Sequence, residues 1–172
     1  ISDVDPAGFK DVIDTNILGP YLMVHAAFKY LKEAGWGRGI NISKRTDSMH
    51  RSAITPYGPS KAAIEAATIA WAEAMFGSGI TFNALSPGGL VDTKFATGSI
   101  DGRGLDPAVI GPMAVWLGSE ASNNTTGCRF VAENWNAKLP LDEAAEGCRE
   151  RAIFTPPKRE TPLEKVWREP GV

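Results

Sequence analysis

Two hydrophobic periods alternate along the first half of the chain, and that alternation leaves few architectures open. Phe9, Val12, Ile13, Asn16, Ile17, Tyr21, Val24, Phe28 and Leu31 recur at spacings of three and four, so one long helix is expected over residues 5–35, opening at Asp5-Pro6. Gly37-Arg38-Gly39 breaks that pattern, and residues 40–43 (Ile-Asn-Ile-Ser) read as a short strand. A second long helix is expected over 57–76, directly after Pro56, whose fixed φ and missing N–H suit a helix start. Gly77-Ser78-Gly79 stops it, and residues 80–85 form a strongly strand-like run that leads straight into Ser86-Pro87-Gly88-Gly89. Helix, strand, helix, strand is the rhythm of a parallel α/β sheet. Further on, a helix is expected from Asp106-Pro107 through Leu117, a last strand over 128–131 and a short helix over 141–148. Residues 92–105, with Gly98, Gly102 and Gly104, read as a long loop of the kind that serves as a lid, and the proline-rich stretch 149–172 reads as an extended tail.

Composition narrows the class. At 172 residues the chain sits near the size of one domain, and its 18 basic and 20 acidic residues are interspersed, without the basic stripe of a nucleic-acid binder. The 43% hydrophobic and 22% charged content is that of a globular chain with a real core. The most apolar stretch, 62–76, carries Glu65 and Glu73, so no membrane span and no membrane partner are expected. No basic segment followed by an apolar one opens the chain, and Cys128 and Cys148 lack metal-ligand spacing with His25 or His50. Two reduced thiols, no metal site and a cytoplasmic location are the expectations.

Chemistry concentrates at Tyr57-Gly58-Pro59-Ser60-Lys61. A Tyr and a Lys four apart share a helix face, and at roughly 4 Å and an effective dielectric near 20 their attraction is about 4 kcal/mol. That is enough to carry a phenol from about 10 toward neutrality, where acid–base catalysis is efficient. The pair lies between two strands, with Ser43 at the end of the first and Pro87-Gly88 after the second, where open α/β sheets place their ligands. A serine hydrolase using Ser43 with Lys44 or Lys61 as base lacks support, since there is no Gly-x-Ser-x-Gly elbow and no triad-like histidine.

In order, Asn16-Ile17-Leu18-Gly19, Asn41-Ile42-Ser43, Tyr57-Gly58-Pro59-Ser60-Lys61-Ala62-Ala63 and Asn83-Ala84-Leu85-Ser86-Pro87-Gly88 resemble the motifs of the short-chain dehydrogenase/reductase family. The resemblance is strong over residues 5–95, with Gly127-Cys128-Arg129-Phe130 similar to the family's last strand. It implies part of a Rossmann-type, doubly wound parallel sheet in three α/β/α layers, filling residues 1–148. It also implies an NAD- or NADP-dependent oxidoreductase acting on a small carbonyl or alcohol substrate. Tyr57 would be the acid/base, Lys61 would hold the nicotinamide ribose and depress the tyrosine, and Asn16 would retain a water of the proton relay. Pro87, Gly88, Leu90 and Thr93 would line the nicotinamide, although Gly89 lengthens the Pro-to-Thr spacing by one. The first helix and the alanine-rich face of the second (Ala62, Ala63, Ala66, Ala67, Ala70) imply a homodimer or homotetramer.

Two departures stand out. The family's serine usually precedes the tyrosine by thirteen residues, and that position is Lys44; Ser43, Thr46 and Ser48 are the candidate replacements, Ser43 the favoured one, with absence of the hydroxyl as the remaining alternative. No glycine-rich strand-to-helix turn is present, since Gly35, Gly37 and Gly39 lead into a strand instead. The chain therefore reads as the C-terminal two-thirds of such an enzyme, expected on its own to be inactive, poorly soluble and unable to bind a dinucleotide. The competing expectation is a non-catalytic binding or regulatory protein that keeps the fold.

Overall fold

The computed structural model of the chain describes residues 3–96 and 103–152. At its centre lies β2 (Ile80–Ser86), buried along its whole length as a parallel strand covered on both faces must be. It pairs in parallel with β1 (Gly37–Ile42) on one side and with β3 (Arg129–Val131) on the other, while β4 (Arg149–Glu150) runs antiparallel to β3. Among the described residues the sheet order is β1-β2-β3-β4. Asn83, buried in mid-strand, is fully engaged: its amide donates to the Thr125 carbonyl at 2.8 Å and its carbonyl accepts from the Cys128 N–H at 3.0 Å. A polar residue in a central strand is tolerated because both of its ends are satisfied.

The period of two sorts β2 onto two cores. Ile80 and Phe82 pack with Ala72, Val24, Leu31 and Trp71 beneath α2 (Gly19–Ala34) and α3 (Tyr57–Ala74). Leu85 faces the other way, with Phe130, against Met113, Trp116 and Leu117 of α4 (Gly111–Leu117) and Ala145 of α5 (Leu141–Gly147). Helices thus cover both faces of a mainly parallel sheet, the Rossmann-type arrangement expected.

Several boundaries differ from the expectation, each for a physical reason. The first strand begins at Gly37 rather than residue 40. Gly37 and Gly39 sit inside it because a Cβ there would lie 2.5 Å from Leu31 Cδ2 and 2.1 Å from Phe82 Cδ1, so they serve close packing rather than a break. The long first helix divides into α1 (Pro6–Ile13), a π-helical turn (Asp14–Leu18) and α2. Pro20 has no N–H to give the Asn16 carbonyl, which is the bond an α-helix would make there, and the Gly19 N–H reaches back five residues to the Asp14 carbonyl. Asp5 caps α1 by accepting from the Gly8 N–H at 3.0 Å, and Gly35, at φ +61°, closes α2 in the left-handed conformation. The helix expected from Asp106 opens as a 3-10 turn over Pro107–Ile110 before α4. The tail expected from residue 149 starts inside the sheet, since Arg149 and Glu150 pair with Phe130 and Arg129. Residues 97–102 of the expected lid and 153–172 of the tail lie outside the described residues; the lid's flanks meet in a parallel bridge between Val91 and Leu105. No described helix is long and apolar enough to cross a membrane.

Candidate active site

The carboxyl ends of β1 and β2 deliver the chain to one place. After β1, residues 43–56 pass through two 3-10 turns, Thr46–Ser48 and Ser52–Ile54, and return at Tyr57, the first residue of α3. The return is tight: a Cβ on Gly58 would lie 2.2 Å from the Met49 carbonyl oxygen, so only glycine lets the first turn of α3 seat against this segment. Ser60, fully buried, donates its hydroxyl to the Tyr57 carbonyl at 2.7 Å and accepts from the Asn16 amide at 2.9 Å, which ties the π-helical turn to the start of α3.

Around the Tyr57 ring stand Lys44 Nζ at 5.5 Å and Lys61 Nζ at 5.6 Å from its centroid, and the Phe95 ring at 5.5 Å. Burial pushes the Tyr57 phenol above its ordinary value and the Lys61 ammonium below its own. This corrects the expectation that Lys61 depresses the tyrosine. Lys61 Nζ donates to the Ile42 carbonyl at 3.0 Å instead of reaching the phenol, so desolvation governs both groups. Burial, then Arg51, lowers Lys44 as well.

Tyr57 opens onto a cavity of about 440 Å³ lined by Lys44, Thr55, Pro87, Leu90, Thr93 and Phe95, among others. Of the expected site residues, the structure brings together Tyr57, Pro87, Leu90 and Thr93 here, while Asn16 and Lys61 line a larger groove of about 690 Å³ between α2 and β1. Gly88, at φ +109°, has its α-carbon turned to Glu133, whose Cγ would lie 2.4 Å from an added Cβ. The Glu133 N–H donates to the Pro87 carbonyl at 3.1 Å, and Arg45 lies 3.6 Å from the Glu133 carboxylate and 3.4 Å from the Gly88 carbonyl.

Ser43 also borders the cavity, but its residue is buried and its hydroxyl donates to the Glu65 carboxylate. Glu65 is one of the residues that sequence reasoning missed. It continues the four-residue stride Tyr57, Lys61, Glu65 on α3 and pairs with buried Arg129, whose guanidinium also donates to Glu150 at 3.1 Å and to the Lys44 carbonyl at 2.7 Å. Burial pushes the Glu65 carboxyl up, against the pull of Ser43 and Arg129. Glu65 was visible as a charge in an apolar helix four residues after Lys61; Arg129 and Glu133 gave no local signal.

A sheet covered on both faces, with a tyrosine and a lysine one helical turn apart at the carboxyl ends of its strands, defines an α/β protein of the Rossmann class. The family described as enoyl-(acyl carrier protein) reductase matches residues 1–134. The chain belongs to the short-chain dehydrogenase/reductase family, a family of oxidoreductases. It is 42% identical over 98 residues to L-xylulose reductase of Aspergillus niger, covering 55% of this chain and 33% of that protein. It is 30% identical over 136 residues to acetoacetyl-CoA reductase of Cupriavidus necator, covering 72% and 55%. Against 3-alpha-(or 20-beta)-hydroxysteroid dehydrogenase of Mycobacterium bovis it is 31% identical over 140 residues, covering 77% and 54%. The chain therefore spans between a third and somewhat over half the length of these curated relatives. Among solved structures, TT0495 protein from Thermus thermophilus superposes with a TM-score of 0.68 at 26% identity, over 75% of this chain and 60% of that one. A 3-ketoacyl-(acyl-carrier-protein) reductase from Brucella melitensis, complexed with NADH, shares the fold with a TM-score of 0.67 at 24% identity, over 74% and 57%.

Proposed function

We propose that the chain carries the acid–base and substrate half of an NAD- or NADP-dependent oxidoreductase that interconverts a small carbonyl compound and its alcohol. The observation that carries this reading is the placement of Tyr57: its ring borders a cavity of about 440 Å³ at the sheet's carboxyl edge, with the ammonium groups of Lys44 and Lys61 within 5.6 Å of its centroid. The relatives' names, a xylulose reductase, an acetoacetyl-CoA reductase and a hydroxysteroid dehydrogenase, agree on carbonyl–alcohol chemistry. One neighbouring structure was solved with NADH and another, a gluconate 5-dehydrogenase from Burkholderia cenocepacia J2315, with NADP and tartrate.

The residues present fit the nicotinamide ribose end of such a cofactor. Lys61 has donors suited to ribose hydroxyls and borders the groove beside Ile42, while Pro87, Leu90 and Thr93 line the adjoining cavity. The described residues hold no glycine-rich strand-to-helix turn for a pyrophosphate. When bound, the nicotinamide supplies or accepts the hydride. Tyr57 hydrogen-bonds the substrate oxygen and gives it a proton in reduction, or takes one in oxidation. Lys61 and Asn16, joined to the site through Ile42 and Ser60, position the ribose and the water through which that proton is replaced. The full-length protein associates as a homodimer or homotetramer through α2 and α3.

The test is the absorbance of NADH and NADPH during turnover of a ketone panel by the full-length gene product and its Tyr57→Phe variant. Turnover in the parent and a loss of about a hundred- to ten-thousandfold in kcat/KM for the variant are expected. Nucleotide binding without turnover in the parent would instead favour the non-catalytic reading.

A further inference from the structure

The hydroxyl that would orient a substrate at Ser43 is committed to Glu65, inside the protein. The next side chain, Lys44, does reach the cavity, and among the described residues it is the single charged side chain lining it. It also lines an adjoining cleft of about 400 Å³ whose rim carries Arg45 and Arg51. These two arginines have carboxylates of their own: Arg45 lies 3.3 Å from Asp47 and 3.6 Å from Glu133, and Arg51 lies 3.5 Å from Asp47. Lys44 makes no ion pair among the described residues; it feels Asp47 only at a distance, and its ammonium holds the Ser48 carbonyl at 3.4 Å. Its backbone, by contrast, is fixed, because the buried Arg129 guanidinium donates to the Lys44 carbonyl at 2.7 Å. A half-buried ammonium without an ion pair among the described residues, anchored through its own carbonyl and lying over the Tyr57 ring, has the chemistry to meet a carboxylate in this cavity.

We propose that Lys44 is the substrate-anchoring cation of this site and that it selects 2-oxo and 2-hydroxy acids, whose carboxylate it binds while Tyr57 holds the neighbouring oxygen. The proposal rests on the oxidoreductase reading of Tyr57. A carboxylate one bond from the reacting carbon suits two groups that flank the same opening, Nζ being 5.5 Å from the phenol ring centroid. The cavity of about 440 Å³ is near the lower end of ligand pockets and is shared with the nicotinamide end of the cofactor, so it calls for a small substrate. Apolar Ile54 and Phe95 accept a short alkyl end.

The test uses the full-length protein, with and without NADH or NADPH, and its Lys44→Met, Lys44→Gln and Lys44→Arg variants, each checked by thermal melting. Calorimetry with oxamate, an unreactive mimic of a 2-oxo acid, is expected to show binding by the parent and Lys44→Arg and a loss of about ten- to hundredfold in Lys44→Met and Lys44→Gln. In turnover, the parent is expected to favour 2-oxobutanoate over its methyl ester. Lys44→Met should lose that preference by a rise in KM for the acid alone. Oxamate bound equally by parent and Lys44→Met, or acid and ester reduced equally by the parent, would overturn the proposal even in an active oxidoreductase. Lys44-dependent oxamate binding without turnover of any carbonyl would uphold Lys44 as the carboxylate-binding cation, overturn its role as a substrate anchor and sink the oxidoreductase reading.

Discussion

Two ammonium groups lie within 5.6 Å of the Tyr57 ring centroid, yet burial holds its phenol above the ordinary value, and the Lys61 ammonium donates to the Ile42 carbonyl. The raised phenol means that the folded chain holds this proton more tightly than the unfolded one. That contribution to stability is complete below the ordinary value of 10.0 and is lost as the pH rises through the folded value. A phenolate absorbance titration of the parent minus Tyr57→Phe should therefore show Tyr57 ionising above 10.0; ionisation near neutrality would show that the lysines prevail over burial. The tyrosine–lysine pair was legible because a spacing of four fixes a shared helix face whatever the tertiary structure. Its electrostatics were not, because the sign depends on where the flexible lysine stem points and on how much water the fold removes. Ser43 shows the same limit: the sequence places its hydroxyl next to the site, and only the fold turns it to Glu65.

β1 illustrates how a strand's neighbours decide what its glycines mean. Read alone, Gly37 and Gly39 punctuate; in the sheet they make room for Leu31 and Phe82. The type of each long element was legible because its period spans many residues, whereas boundaries turned on such contacts and on the missing N–H of Pro20. On its inner side β1 is held from the Gly37 N–H, which donates to the Gly79 carbonyl, to the Ser43 N–H, which donates to the Leu85 carbonyl at 2.9 Å. Alternation along the strand turns the amides of Arg38, Ile40 and Ile42 the other way, where the described residues supply no strand. Hydrogen exchange should find these three at least about tenfold less protected than Ala84 of β2, whose N–H donates to the Cys128 carbonyl at 2.9 Å. Equal protection would mean that this edge is covered in solution.

At the scale of the whole molecule, Arg129 joins parts of the chain that local pattern cannot connect. Its guanidinium meets Glu65 on α3, Glu150 on β4 and the Lys44 carbonyl at the site, contacts 64, 21 and 85 residues apart. No short-range signal marks such a hub, which is why the sequence disclosed the layers of the fold but not the tie between them. Arg129→Met should cost about 3–5 kcal/mol in urea unfolding, since it leaves Glu65 buried without its cation. A change within about 0.5 kcal/mol would show that Glu65 has taken up a proton or found water instead. The Lys61 contact reaches further than its own turn of helix. The Ile42 carbonyl points to the open side of β1, so the ammonium occupies the last acceptor on that edge. Any strand laid alongside β1 must then stop its pairing before Ile42 or draw Lys61 off it. Lys61 thus sets how far the sheet can be extended along that edge.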